Sequence, residues 1–205
     1  MRNHFSETTA GCALALLCLA PAARAQTSPP GAQAASAATA GNVAAHPTYI
    51  SIPLEIAVNR PAAEVWKRVG KYCDIGEWMR RPCAITSGKD GEFGAVRSVA
   101  SEILVGKTEL SYTYTQPVAA GRTYNLYHGT LEARPVTATT SKLVYTLVFD
   151  NSMLADDAAR EKDIAQRTAQ FTQALENMKI LAEGGTLPPV APRAGGTQPG
   201  ASPGR

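Results

Sequence analysis

Histidine is the scarcest chemical resource in this chain. His4 lies in the amino-terminal stretch and His46 precedes the first strand pattern, so His128 is the one imidazole inside the strand-rich region. A His-based zinc site or a Ser/Cys–His–Asp nucleophile would have to use that residue, and neither signature flanks it. No Gly-rich phosphate loop is present. Metal, nucleotide and covalent hydrolase chemistry are therefore disfavoured, and no cofactor or metal is expected. Tyrosine is abundant instead, with Tyr112, Tyr114, Tyr124, Tyr127 and Tyr145 on three strand patterns. A buried phenol needs a hydrogen-bond partner. Phenols lining a cavity can orient a ligand's oxygen or act as weak acids; the plainer reading is that tyrosine packs well on a half-buried strand.

Arg97 stands on a strand pattern between Val96 and Val99. If it points inward, its guanidinium is costly to bury unpaired and calls for a carboxylate, with Glu102, Glu109 and Glu132 as candidates. If it points outward, it is a solvated charge. Trp78 has two readings as well, a cover at a cavity mouth or a core side chain. Cys73 and Cys83 are the cysteines left once Cys12 and Cys18 are assigned to an amino-terminal signal. In an oxidising compartment they could close a loop of about 11 residues, for roughly 2–3 kcal/mol in the chain-entropy model. The alternative is two buried thiols.

The element that must position these groups is the longest helical signal, from about Asp156 to Glu183. Ile164, Thr168, Phe171, Leu175, Met178 and Ala182 recur at steps of three and four, which aligns them along one side of a helix. Arg160, Glu161, Lys162, Gln166, Gln170, Gln173 and Lys179 make the other side polar. Asp156 or Asp157 caps the start and Gly184-Gly185 ends it, giving about 27 residues and ~40 Å. Such a helix needs a broad partner surface, and the strands upstream supply it. Ile50 to Val58 alternates with a period of two, and Pro53 within it belongs at an edge, a bulge or a gap in pairing. Pro61 opens a short helix that Gly70 stops. Tyr72 to Met79 reads as a second. Strands are expected at 82–86, at 92–104 as one long strand or two with a kink, and at 109–116, 122–133 and 141–150. Turns fall at Gly88-Lys89-Asp90-Gly91 and Gly106-Lys107. Leu110, Tyr112 and Tyr114, then Leu143, Tyr145, Leu147 and Phe149, share one parity, so one sheet face is covered and one is wet. Residues 122–133 are ambiguous in parity.

The ends read differently. Ala10 to Ala20 is an apolar run after Arg2, followed by Pro21 and the small-residue site Ala23-Arg24-Ala25. This is the pattern of a secretory signal cut before Gln26, and its apolar core of about 11 residues is short of the ~20 that span a bilayer. The expected location is periplasmic or secreted, without a stable membrane anchor. Residues 26–45 and the Pro/Gly-rich residues 184–205 lack the apolar content to form a core and are expected to be disordered, which leaves 46–183 as one domain. The formal net charge of +3 comes largely from the two ends. With no basic stripe interleaved with aromatics, nucleic acid is not an expected partner.

The order strand, two short helices, antiparallel strands and a long final helix resembles the helix-grip fold of the START-like, birch-pollen-allergen-like superfamily. Within it, the chain resembles the bacterial polyketide cyclase/dehydrase and lipid-transport family. The residues that carry this are Val58 through Trp66, the pair Ile75 and Trp78, Gly94-Ala95-Val96-Arg97, Tyr112-Thr113-Tyr114, Gly129-Thr130-Leu131, and Phe171, Leu175, Met178 and Lys179. The resemblance implies an α+β fold: a curved sheet of roughly six or seven antiparallel strands wrapped on the long carboxy-terminal helix. Between them it implies a mostly apolar cavity. The candidates to line that cavity are Trp78, Arg97, Val99, Leu110, Tyr112, Tyr114, Tyr145, Leu147, Phe171 and Leu175. Two functions follow: a binder of a hydrophobic, lipid-like or polyketide-like small molecule, or a cyclase/dehydratase in which Tyr and Arg97 or a carboxylate steer protons.

Overall fold

A computed structural model describes residues 46–189. The expected signal, the 26–45 tether and most of the carboxy-terminal tail lie outside the described residues. In chain order the elements are β1 (Tyr49–Val58), α1 (Ala62–Val69), α2 (Ile75–Trp78), β2 (Ile85–Ser87), β3 (Val96–Arg97), β4 (Glu102–Lys107), β5 (Ser111–Thr115), β6 (Tyr127–Pro135), β7 (Ser141–Asp150) and α3 (Asp157–Ala182). The strands form one curved antiparallel sheet in the order β1-β7-β6-β5-β4-β3-β2. The long helix packs on its covered face, the helix-grip arrangement that the sequence order implied.

Period-two patterning sets the sheet's inner face. Cross-strand register aligns Leu54, Tyr145, Leu131 and Tyr112 in one row, and Ile52, Leu147, Gly129 and Tyr114 in the next. Tyr112, Tyr114, Tyr145 and Leu147 are all buried. On the opposite face Thr113 and Thr130 share a hydroxyl hydrogen bond of 2.8 Å. The helix meets the sheet through Phe171, Ala174, Leu175, Met178 and Leu181. Asp156 caps it, accepting from the Ala159 N–H at 2.8 Å, and Gly184 at φ 89° turns the chain out of the last turn. Beyond Gly184, Leu187 packs against the core. Pro53 sits in β1, an edge strand, as its missing donor requires. Among the described residues no helix is long and apolar enough to cross a membrane.

Several boundaries differ from the sequence expectation. The segment 92–104 is neither one strand nor a kinked pair but a tight hairpin, in which β3 and β4 flank a turn built on Ala100 (φ 51°) and Ser101 (φ 55°). Gly106 and Lys107 stand inside β4, where the register shifts by a bulge, and the reversal comes at Thr108 to Leu110. Residues 122–126 are irregular, so β6 begins only at Tyr127. Their aromatic content reflects packing of Tyr124 in a loop rather than strand pairing. The second helix is trimmed to Ile75–Trp78 and the following strand moves to Ile85–Ser87.

Candidate functional site

Residues Arg97 and Glu102 are direct cross-strand partners in the β3–β4 hairpin, and both side chains are buried inside the sheet's curve. Arg97 Nε donates to Glu102 Oε2 at 2.6 Å, and Nη2 lies 2.5 Å from the same oxygen. Its Nη1 donates to the Tyr72 carbonyl at 2.5 Å and, more weakly, to the Tyr112 hydroxyl at 3.4 Å. The guanidinium is also sandwiched, with Cζ 4.3 Å from the Tyr72 ring centre and 4.8 Å from that of Tyr114. Burial works against its charge, yet Tyr112 and Glu102 hold it protonated more firmly than usual. Of the three candidate carboxylates, Glu102 is the partner; Glu132 instead pairs with Arg134 on the surface.

From Glu102 a chain of hydrogen bonds runs through Gln116 to Tyr124. Its Oε1 accepts from Gln116 Nε2 at 2.8 Å, and Gln116 Oε1 accepts from the Tyr124 hydroxyl. Desolvation lifts the Glu102 carboxyl above the ordinary range in spite of Arg97 and Gln116. Behind this chain, the Tyr114 and Tyr145 hydroxyls meet at 2.9 Å. Burial pushes both phenols well above their usual range, and Tyr127 up to about 12, so they act as hydrogen-bonding groups and not as bases near neutrality. Tyr145 packs 4.7 Å from Phe171 and edge-on to Trp78 at 6.3 Å.

Glu102, Tyr114, Gln116, Tyr124, Tyr127 and Phe171 border a cleft of about 360 Å³ between the first half of α3, α2, the β3–β4 turn and the 121–124 loop. Its apolar walls include Ile75, Val99, Tyr127 and Phe171; its polar side carries Glu102, Gln116, Tyr124 and Arg167, with Arg81, Arg122 and Gln170. The lining is thus more polar than apolar, against the mostly apolar cavity that the resemblance implied. Arg167 is held by Asp163 one turn back at 2.9 Å, with its Cζ 4.6 Å from the Phe149 ring and 5.1 Å from that of Tyr127.

Of the residues singled out in the sequence, Val99, Tyr114 and Phe171 border this cleft. Trp78 borders a groove of about 500 Å³ on the other side of α2, and Tyr112 a third cleft under α1. Arg97, Tyr145, Leu147 and Leu175 are in the packed interior, and Leu110 is half-buried in the turn before β5. Cys73 and Cys83 form a disulfide with a Cα separation of 5.5 Å, which ties the start of α2 to the chain entering β2. His128 is half-buried on β6 opposite Thr115 and Val148, away from these groups. Sequence reasoning missed Gln116 and Arg167. The Asp163–Arg167 spacing of one helical turn was the available signal for the second.

Gly129 makes the tyrosine pair possible. Tyr114 on β5 reaches Tyr145 on β7 across β6, and the residue in its path is Gly129, where a Cβ would overlap the Tyr114 ring. Gly129→Val is expected to lose about 1–3 kcal/mol through overpacking. Because the displaced Tyr114 ring moves toward the cleft, ligand affinity should fall as well; urea unfolding and a binding titration check the two effects separately.

Compared with known proteins, no family model matches the chain and no curated protein matches it in sequence. Solved structures do. A protein from Thermobifida fusca matches with a TM-score of 0.55 and 21% identity, over 67% of this chain and 97% of its own. The Zhui aromatase/cyclase from a Streptomyces species matches with a TM-score of 0.53 and 17% identity, over 68% and 100%. A truncated norcoclaurine synthase from Thalictrum flavum matches with a TM-score of 0.50 and 11% identity, over 69% and 98%. At these identities the likeness is one of fold alone: a curved antiparallel sheet gripping a long carboxy-terminal helix.

Proposed function

We propose that this chain, which has the helix-grip fold of the START-like superfamily, binds a small molecule that is largely apolar, carries ring oxygens or hydroxyls, and is closer to a polyketide than to a lipid tail. The observation that carries this reading is the mixed cleft. Its volume of about 360 Å³ falls in the range of roughly 300–1,000 Å³ typical of ligand sites, and an apolar and aromatic wall faces a larger set of polar groups. A plain acyl chain would strip water from Arg81, Gln116, Arg122 and Arg167, which are exposed or half-buried at the cleft, without offering new partners, which is unfavourable. A hydroxylated aromatic satisfies them. The test is a pair of probes, naphthalene and a dihydroxynaphthalene, titrated into the full chain. The diol is expected to bind about tenfold tighter, one or two hydrogen bonds' worth, and Gln116→Leu should bring the two together. Equal affinity in the unaltered protein would overturn the oxygen-recognition claim.

A second reading, a cyclase or dehydratase acting in the same cleft, is favoured by one observation. Glu102 is a carboxyl lifted by burial, hydrogen-bonded to a side chain at the cleft wall and braced by a permanently charged arginine. Such a group is suited to holding and releasing a proton near a bound substrate. The tyrosines would orient oxygens in that scheme, and Glu102 would be the titrating member. Export belongs to the proposal: the amino-terminal apolar run and the Cys73–Cys83 bridge are both of a kind that suits an oxidising compartment.

A further inference from the structure

We propose that the chain carries a second ligand site, on the opposite side of Arg97 from the cleft above, and that this site takes a small apolar carboxylic acid. It is a separate cleft of about 370 Å³ between α1, the turn after it and the β4–β5 hairpin. Trp66, Tyr72, Leu104 and Tyr112 supply its apolar wall, with the Trp66 and Tyr112 rings 5.6 Å apart and those of Tyr72 and Tyr112 edge to face at 5.5 Å. Gly70 keeps the wall in place, since a Cβ there would overlap the Trp66 indole.

Two independent features assign the ligand's polar end. Lys67 in the last turn of α1 and Lys71 just past its end border the cleft, and among the described residues neither ammonium has a carboxylate partner. The remaining charges there are Lys107, which donates to the Gly91 carbonyl, and the acids Asp90 and Glu109. Tyr72 is 3% exposed, yet its hydroxyl has no hydrogen-bond partner among the described residues. Buried polar atoms are rarely left so. An arriving carboxylate accepts from the Tyr72 hydroxyl and meets the two lysines, while its apolar body lies on Trp66 and Tyr112. Arg97 stacks on Tyr72, and its partner Glu102 borders the first cleft, so one buried ion pair separates the two sites.

The test uses the full chain, hydrocinnamate and its neutral amide, with backbone amide signals read by NMR. Hydrocinnamate is expected to shift Gly70, Lys71, Gly91 and Ser111 saturably and to bind roughly three- to tenfold tighter than the amide. The double change Lys67→Gln/Lys71→Gln should remove that preference. Tyr72→Phe, which keeps the ring on Arg97, should weaken the acid severalfold. Shifts confined to Tyr124 and Gln170, equal affinity for acid and amide, or no saturable binding each overturn the second site. None of these outcomes bears on the dihydroxynaphthalene test, so the two readings fail separately.

Discussion

Glu102→Leu is expected to destabilise the protein by about 3–5 kcal/mol, seen as a large drop in the urea midpoint. The reason lies in what is left behind. Arg97 is wholly buried and Glu102 is 3% exposed, so removing the carboxylate strands a guanidinium that cannot neutralise itself and removes the acceptor of the Gln116 amide. Neither the Tyr72 carbonyl nor the aromatic faces around Arg97 can replace a counter-charge. The double change Arg97→Met/Glu102→Leu is expected to recover most of the loss, because paired charges replaced by packed apolar volume cost little. If single and double variants unfold at the same midpoint, the loss comes from packing and the ion pair is not what holds the hairpin inside the sheet.

Removing the disulfide with Cys73→Ala/Cys83→Ala should cost roughly 2–3 kcal/mol, the chain-entropy value for a loop of about 11 residues. The loss should also be localised. The bridge holds α2, a helix of four residues that contributes Ile75 to the mixed cleft and Trp78 to the groove behind it. So short a helix has little stability of its own. Hydrogen exchange is therefore expected to quicken at 73–83 far more than in β5 to β7. Reduction of the unaltered protein should reproduce both effects; a uniform rise across the sheet would instead mark global destabilisation.

Much of the frame was legible in the chain because the signals were local and repeated. The apolar steps from Ile164 to Met178, the Asp156 cap and Gly184 gave the long helix nearly to its ends, and the parity of Tyr112, Tyr114, Tyr145 and Leu147 gave the inner face. The pairing of Arg97 with Glu102 was not legible. It depends on a reversal between Ser98 and Ser101 whose left-handed residues are Ala100 and Ser101, with none of the glycine, asparagine or proline that normally marks such a turn. Without that reversal, three glutamates were equal candidates. Tyr124 was hidden for a related reason: strand-like composition drew residues 122–126 into β6, although the chain there wraps the cleft mouth. Gln116 carries no pattern at all, being a polar residue just past a strand whose role exists only through Glu102 and Tyr124.

The chain has two tryptophans, and the fold sends them to different places. Trp78 is fully enclosed beside Tyr145, whereas Trp66 is half-exposed beside Tyr112 under α1. An enclosed indole emits at shorter wavelength than a solvated one. A single excitation therefore returns a blue component from the α2 side and a red component from the α1 side, and the molecule carries its own two-colour optical readout of which end has been disturbed.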